Sequence, residues 1–529
     1  MTTHCETASC PAEPVSGPAS RSSTQAGGRA WLGLALLALP TVLLGLDLTL
    51  LHLALPALAA DLQPTSTQAL WIMDAYGFMI AGFLITMGTL GDRIGRRKLL
   101  MFGAAAFAAA SGIAAFSTSA AMLIAARAAL GVAGATLMPS TLALISTLFA
   151  DPRQRALAIG VWATMFALGM AMGPVVGGVV LAHFWWGAAF LLAVPVVGLL
   201  LLLAPVLLPE YRAPNAGRID LASVALSLAA MLPVIYGIKQ IAKDGLGAEA
   251  VGAAVMGAVF AVVFVRRQRQ LADPLLDLEL FRNRAFTAAL VVLLFGLVAV
   301  GGTMLLVTQY LQLVAGFSPL VAGLWMGPPA LAMVAAGIGA PLIARHVRPG
   351  IVVAGALGLS VVGYLLLARL GNDHAGLATV VTGFSLAYLG LGTIAALGTD
   401  LVVGSAPAEK AGSASALSET VQDLGASLGI AVLGSFATAI YRRTMLERLP
   451  DDTPETLREA VADSLWAASA VAPDLPGGLI EEAQAAFLAG FHGAAMVSAI
   501  IVAALVALAA LSLRHVGTLA GSSDPLDRE

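Results

Sequence analysis

Residues Gly88 to Lys98 read Gly-Thr-Leu-Gly-Asp-Arg-Ile-Gly-Arg-Arg-Lys. Glycines at this spacing allow a tight turn, and Asp92 can accept hydrogen bonds from a helix end or pair with a base. The four cations Arg93, Arg96, Arg97 and Lys98 suit an anionic membrane face. On either side lie apolar runs at about 70–90 and 99–118, each long enough to cross a bilayer. The unit is therefore a basic turn joining two membrane spans.

Working outward, the same unit repeats. Apolar stretches without sustained alternation fall at about 31–56, 121–142, 156–181, 187–208, 220–241, 247–265, 286–311, 320–343, 350–370, 376–399, 413–440 and 487–511. With the two runs flanking the loop they predict fourteen transmembrane helices. A membrane β-barrel would need shorter, alternating segments. Composition agrees: 59% of the 529 residues are apolar and 11% charged, with a mean hydropathy of +0.90. A water-soluble domain carries about 25% charge.

A net charge of −3 offers no basic patch for nucleic acid. Cys5 and Cys10 both lie in the polar leader, so no disulfide can staple the body and no multi-cysteine metal site is expected. The first apolar run begins at Trp31, after a leader without a strong basic region, and reads as a first span rather than a cleaved signal.

Basic residues concentrate in the even-numbered gaps: Arg93 to Lys98, Arg153 and Arg155, Arg212 and Arg218, Arg266 to Arg284, Arg345 and Arg348, and Lys410. By the positive-inside rule these face the cytoplasm, as do both termini. The 441–486 segment carries Arg442, Arg443, Arg448 and Arg458 against nine acids, among them Asp451, Asp452, Glu481 and Glu482, and is read as an external loop. Within it Leu457, Val461 and Leu465 recur at helical spacing, with Thr453 or the preceding aspartates as caps.

The chain is identified from these motifs as resembling the major facilitator superfamily. The Gly88–Lys98 stretch is similar to that family's signature loop. In helix 5, Gly160, Gly169, Gly173-Pro174 and Gly177 follow the GX8GX3GPX2G spacing of the antiporter motif of drug exporters. Glycines at four-residue intervals let a neighbouring helix approach closely, and Pro174 frees a carbonyl and favours a bend. Asp92, Arg93, Gly95, Arg96, Gly169, Gly173, Pro174 and Gly177 are accordingly the gating candidates. Leu46-Asp47-Leu48-Thr49 with His52 and Pro56, Trp71 to Tyr76, and Arg127 ahead of Gly131 and Gly134 resemble motifs of the fourteen-span drug:proton antiporters. Ser413 to Gly425 resembles the QacA, SmvA and LfrA branch. Three departures stand out. Ser418 replaces an acid often found beside the equivalent of Glu419, which puts recognition of dications in doubt; His183-Phe184-Trp185-Trp186-Gly187 lacks the arginine found in many relatives after the aromatic pair; and His52 stands where the family more often has Asn.

The resemblance implies an all-α major facilitator fold, two six-helix bundles with two additional central spans. The expected divisions are a cytoplasmic leader 1–30, a bundle 31–208, an insertion and linker 209–285, a second bundle 286–511 containing the 441–486 loop, and a tail 512–529. It implies a monomeric secondary transporter of a bacterial cytoplasmic membrane, surrounded by lipid. Its work would be exporting lipophilic cations such as quaternary ammonium compounds and cationic dyes in exchange for protons. Cofactors and metals are not expected.

Charge inside a span is costly, about 2.5–3.5 kcal/mol on insertion scales, so each intramembrane charge needs a cavity, a partner or a proton. Asp74 is the first candidate for proton coupling or cation capture, and Asp47 the second, with Arg127 able to stabilise one of them. Glu419 and Asp423, four residues apart, share one helix face, and adjacent carboxylates resist simultaneous ionisation. Trp71, Tyr76, Met79, Met138, Trp162 and Phe166 could add cation–π and adaptable apolar contacts. The rivals are a proton-coupled transporter of one endogenous metabolite and a nontransporting scaffold or receptor; without a P-loop an ATP-driven pump is not expected.

Overall fold

The structure, a computed structural model, describes residues 27–149, 151–212, 220–271, 274, 276, 278–371, 376–406, 411–449, 454–472, 475 and 478–513. Cys5, Cys10, Arg218, Lys410, Asp451, Asp452 and Thr453 lie outside the described residues. Fourteen described helices are long and apolar enough to span a membrane. They are α1 (Gly28–Leu62), α2 (Ser66–Ile94), α3 (Arg96–Ala115), α4 (Ala120–Leu148), α5 (Pro152–His183), α6 (Ala188–Leu207) and α7 (Leu221–Asp244). The chain continues with α8 (Ala248–Gln268), α9 (Arg284–Val314), α10 (Pro319–Ile343), α11 (Pro349–Leu367), α12 (Gly376–Gly404), α13 (Ala411–Arg448) and α14 (Leu479–Ser512).

Capping side chains set many of the starts. Thr65 and Gln68 form a reciprocal capping box on α2, while Ser119, Asp151, Asp220, Asn283 and Ser318 each accept a backbone N–H at the start of α4, α5, α7, α9 and α10. Helices α13 and α14 run further than the hydropathy suggests, because their polar ends stay helical beyond the apolar core. The expected 441–486 loop therefore shrinks to the segment between Arg448 and Leu479, which holds two short helices, Glu455–Asp463 and Leu465–Ala470.

The spans alternate in direction. At one end Arg97 bonds Leu208 and Asn283 bonds Ser405; at the other, Trp186 bonds Asp61 and Tyr310 bonds Gly371. The first is called the basic end, since it carries Arg93 to Lys98, and the second the far end. Apolar packing divides into two main bodies, one built mostly from α1–α6 and the other mostly from α9–α14. The inserted α7 and α8 are peripheral: 22% and 11% of their most apolar windows are buried, against 67% and 78% for α1 and α9.

Close approaches join the two bodies. Gly178 of α5 lies on Leu320 of α10, where an added Cβ would sit 2.7 Å from the Leu320 Cα, and Gly323 lies against the Pro174 carbonyl. Gly77 of α2 meets Ser427 of α13, and Gly434 meets Leu70. Beyond them Asp463 accepts hydrogen bonds from Ser66 N at 2.9 Å and Ser66 Oγ at 3.0 Å, tying the loop to the start of α2. These contacts close the far end.

Candidate functional site

The four intramembrane acids singled out by sequence fall into three different surroundings. A helical residue turns by about 100° relative to its neighbour, so known contacts on one helix place the rest. On α1, Thr49 donates to the Met170 carbonyl of α5 at 3.0 Å, whereas Asp47 lies on another side, inside the first bundle. There Arg127 Nη1 of α4 stands 2.7 Å from Asp47 Oδ2, and its Nε donates to the Ile72 carbonyl of α2 at 3.1 Å. The guanidinium also lies over the Tyr76 ring, 4.5 Å from its centroid. Asp47 keeps 15% of its side-chain exposure, towards a narrow cleft among α1, α3 and α6 that Phe107, Ser111 and Phe190 help to line.

Asp74 sits elsewhere. Gly77 faces α13 and Trp71 and Phe78 face α7, which puts Asp74 on the arc between them. Its Oδ2 is 2.8 Å from Lys239 Nζ of α7, both side chains being wholly buried. A buried pair of this kind is strongly dependent on both members: removing one costs about 3–5 kcal/mol by leaving the other uncompensated. Sequence reading missed Lys239. It lies two residues inside the expected end of the 220–241 run, where a lysine is an ordinary interfacial anchor. A signal was present, since Lys239 continues the Leu228, Leu232, Ile235 stripe that faces the protein.

Glu419 and Asp423 differ from both. Gly425 and Gly429 of α13 pack on α9, Ser427 meets α2, and Leu424, Leu428 and Ala431 face α7. The two acids thus project between the α2 and α9 sides, away from α7, into the space between the two bodies. Both are half-buried, and neither takes a hydrogen bond or ion pair from a described residue. A rise of about 1.5 Å per residue sets Glu419 about 12 Å and Asp423 about 18 Å from the basic end of α13. Ser418 points the other way. It is fully buried, with its hydroxyl 3.3 Å from Thr399 Oγ1 of α12.

The apolar candidates also separate. Trp162 is buried and donates to Thr141 Oγ1 at 3.1 Å, Met138 is buried in the first body, and Tyr76 lies under Arg127. Met79 and Phe166 are half-buried, and the Phe166 backbone packs on Gly45. Trp71 lies beneath Lys239, whose Nζ is 3.7 Å from the ring centroid.

The glycine stretch of α5 packs closely on α1: Gly169 and Gly173 leave no room for a Cβ against Val42 and Thr49, and Gly177 rests on Leu50. Gly160 has open space around it. At the basic end, Arg96 Nη2 pairs with Asp92 Oδ1 at 2.6 Å, Arg96 N donates to Tyr211, and Arg97 N to Glu210. Arg93 is exposed. Gly95 has φ of +115°, and Glu210 fills the place of its missing side chain. These bonds all stay on the first body's side.

Two helical bodies closed against each other at one end, with unpaired carboxylates in the space between, are the architecture of an alternating-access membrane transporter. The chain belongs to the Major Facilitator Superfamily, whose sequence profile matches residues 37–430. Among curated relatives it is 42% identical to the multidrug efflux pump LfrA of Mycolicibacterium smegmatis, over 93% of this chain and 98% of that protein. It is 33% identical to the methyl viologen resistance protein SmvA of Salmonella typhimurium, over 89% and 95% of the two chains. The fold resembles that of a bacterial homolog of the human lysosomal transporter Spinster, with a TM-score of 0.64 at 14% identity over 92% of this chain and 97% of that one.

Proposed function

We propose that this protein exports lipophilic cations, among them quaternary ammonium compounds and cationic dyes, in exchange for protons. The observation that carries this reading is the pair Glu419 and Asp423, half-buried and unpaired between the two bodies. Full-length similarity to LfrA and SmvA supports the cationic cargo. Two carboxylates on adjacent turns repel when both are charged, and either a proton or a cation relieves that repulsion. Occupancy by one therefore disfavours the other, which is the chemical requirement of antiport. The basic end faces the cytoplasm, with both termini on that side, in a bacterial cytoplasmic membrane. The far-end closure then leaves cargo to arrive from the cytoplasmic side, and rocking of the two bodies exposes the site outward. The transporter works as a monomer, in the domain divisions given above, with membrane lipid around α7 and α8. Asp47, Asp74 and Arg127 support the cycle as paired charges whose bonds brace or tether helices.

Purified protein in liposomes, loaded with ethidium and given an imposed pH gradient, tests the reading. Gradient-driven ethidium movement that disappears in Glu419→Gln/Asp423→Asn is expected. Wild-type liposomes with no gradient-dependent movement across a panel of lipophilic cations would overturn it.

A further inference from the structure

The Lys239 ammonium is held by the same chemistry that would hold a lipophilic cation. Asp74 supplies two oxygens, at 2.8 and 3.1 Å, and the Trp71 ring lies 3.7 Å away. Carboxylate and aromatic face together form a cation site, and it is filled by a side chain from another helix. That helix is α7, the first of the inserted pair, and it bridges a seam. Phe78 of α2, Ile235 of α7 and Ala431 of α13 form one buried cluster, flanked by Met231, Leu232, Leu424 and Leu428. One turn beyond that cluster, Lys239 follows Ile235 and Asp74 precedes Phe78. Helix α7 therefore packs on both bodies, and its buried charge pair is made to α2 alone.

We propose that Lys239 is a tethered stand-in for the transported cation: it and a cargo cation occupy the Asp74–Trp71 site in turn, and cargo binding releases the inserted hairpin from α2. This rests on the cation-export reading. A helix packed on both α2 and α13 cannot follow both when the bodies rock apart, so its attachment to one must be breakable. An ion pair with a competing cation is such a two-state element. The tether also weakens cargo binding, because the site is open only for the fraction of time in which Lys239 is away. Lys239 is thus a positioning residue that sets affinity and release.

The test uses full-length protein in nanodiscs and tetraphenylphosphonium as the probe. Lys239→Met is expected to tighten binding about tenfold by removing the competitor, Lys239→Arg to stay near wild type, and Lys239→Met/Asp74→Asn to lose the gain. A merely structural lysine would give unchanged or weaker binding in Lys239→Met, and that result would overturn the proposal. A second measurement does not depend on that variant folding. In a Cys5→Ser/Cys10→Ser background, Phe78→Cys and Ile235→Cys should form a disulfide whose yield falls when tetraphenylphosphonium is added; a yield that does not respond to the cation also overturns it. Ethidium transport by wild type is scored separately. Its absence together with tightened binding in Lys239→Met overturns the exporter reading alone, whereas intact transport without the gain overturns this proposal alone.

Discussion

Arg127 and Asp47, eighty residues apart in sequence, meet at 2.7 Å between α4 and α1, and the same guanidinium bonds the Ile72 carbonyl of α2. One side chain thereby braces three helices of the first body. Its aromatic neighbours Tyr76 and Phe190 close the space around it, 4.5 and 5.9 Å from its carbon to the ring centroids.

Removing that brace should be felt as stability. Arg127→Ala leaves Asp47 without its partner, and a loss of about 3–5 kcal/mol is expected, with Arg127→Lys losing less because the charge remains. Thermal unfolding in detergent measures both. Asp47→Asn should unfold earlier as well. An Asp47→Asn protein with undiminished melting temperature but no proton-coupled transport would instead make Asp47 a coupling residue.

The free acids of α13 should control coupling. Glu419→Gln and Asp423→Asn are each expected to lower transport of methyl viologen, a dication, more than that of ethidium, since two charges on the cargo use both carboxylates. The ratio of initial rates in liposomes is the measurement, and equal losses for the two substrates would count against a shared site.

Restoring an acid at 418 should fail. The family pattern suggests that Ser418 costs the protein a second charge beside Glu419, but the Ser418 side chain points towards Thr399 in a buried place. Ser418→Glu would bury an unpaired carboxylate there, and a lower melting temperature without any gain in methyl viologen transport is expected.

The glycines of α5 should separate into those inside one body and those between bodies. Gly169→Ala and Gly173→Ala push α1 from α5 and should reduce folded yield. An added Cβ at Gly178 meets Pro319 and Leu320 first, across the far-end closure, so Gly178→Ala should keep its yield and shift the balance towards the opposite state. Increased labelling of a cysteine placed beneath that closure reports the shift. Gly160→Ala, with open space around its Cα, should behave as wild type.

The inserted hairpin has an acid-sensitive clasp at its basic end, where Asp220 caps α7 just before the span begins. Arg267 donates to both Asp220 oxygens, at 2.9 and 3.2 Å, and this bonding, helped by Ser223, draws the Asp220 carboxyl down from an ordinary 3.8 to about 2. A carboxyl lowered on folding contributes stability that is complete above its unfolded value and disappears as pH falls through the folded one. Asp220→Asn should therefore melt about 2 °C below wild type near neutrality, with the two converging only between about pH 4 and pH 2. A difference that already closes between pH 8 and 5 would refute this assignment.

Much of the architecture was legible from residues alone. Fourteen apolar runs, the turn at Gly88–Lys98 and the glycine spacing of α5 all depend on chain-local physics: a bilayer demands a run of fixed length, and close helix packing demands small residues at fixed intervals. The same reading singled out Asp47, Asp74, Arg127, Glu419 and Asp423 as charges within spans, and passed over Lys239.

What local pattern could not set was the rotation of each helix about its axis. Spans such as α1 and α4 are apolar almost all round, so no amphipathic stripe says which side faces a neighbour. Asp74 ranked first in sequence because it is an acid in a family motif. Tertiary packing turned it to a seam, where a lysine 165 residues away covers it. Asp47 was turned into its own bundle, and Glu419 and Asp423 were left facing the space between the bodies. Sequence by itself determined that these charges must lie within the membrane and need partners. Only the folded structure decided which were paired and which stayed free, because ion pairs form between side chains that packing brings within a few ångströms, whatever their separation along the chain.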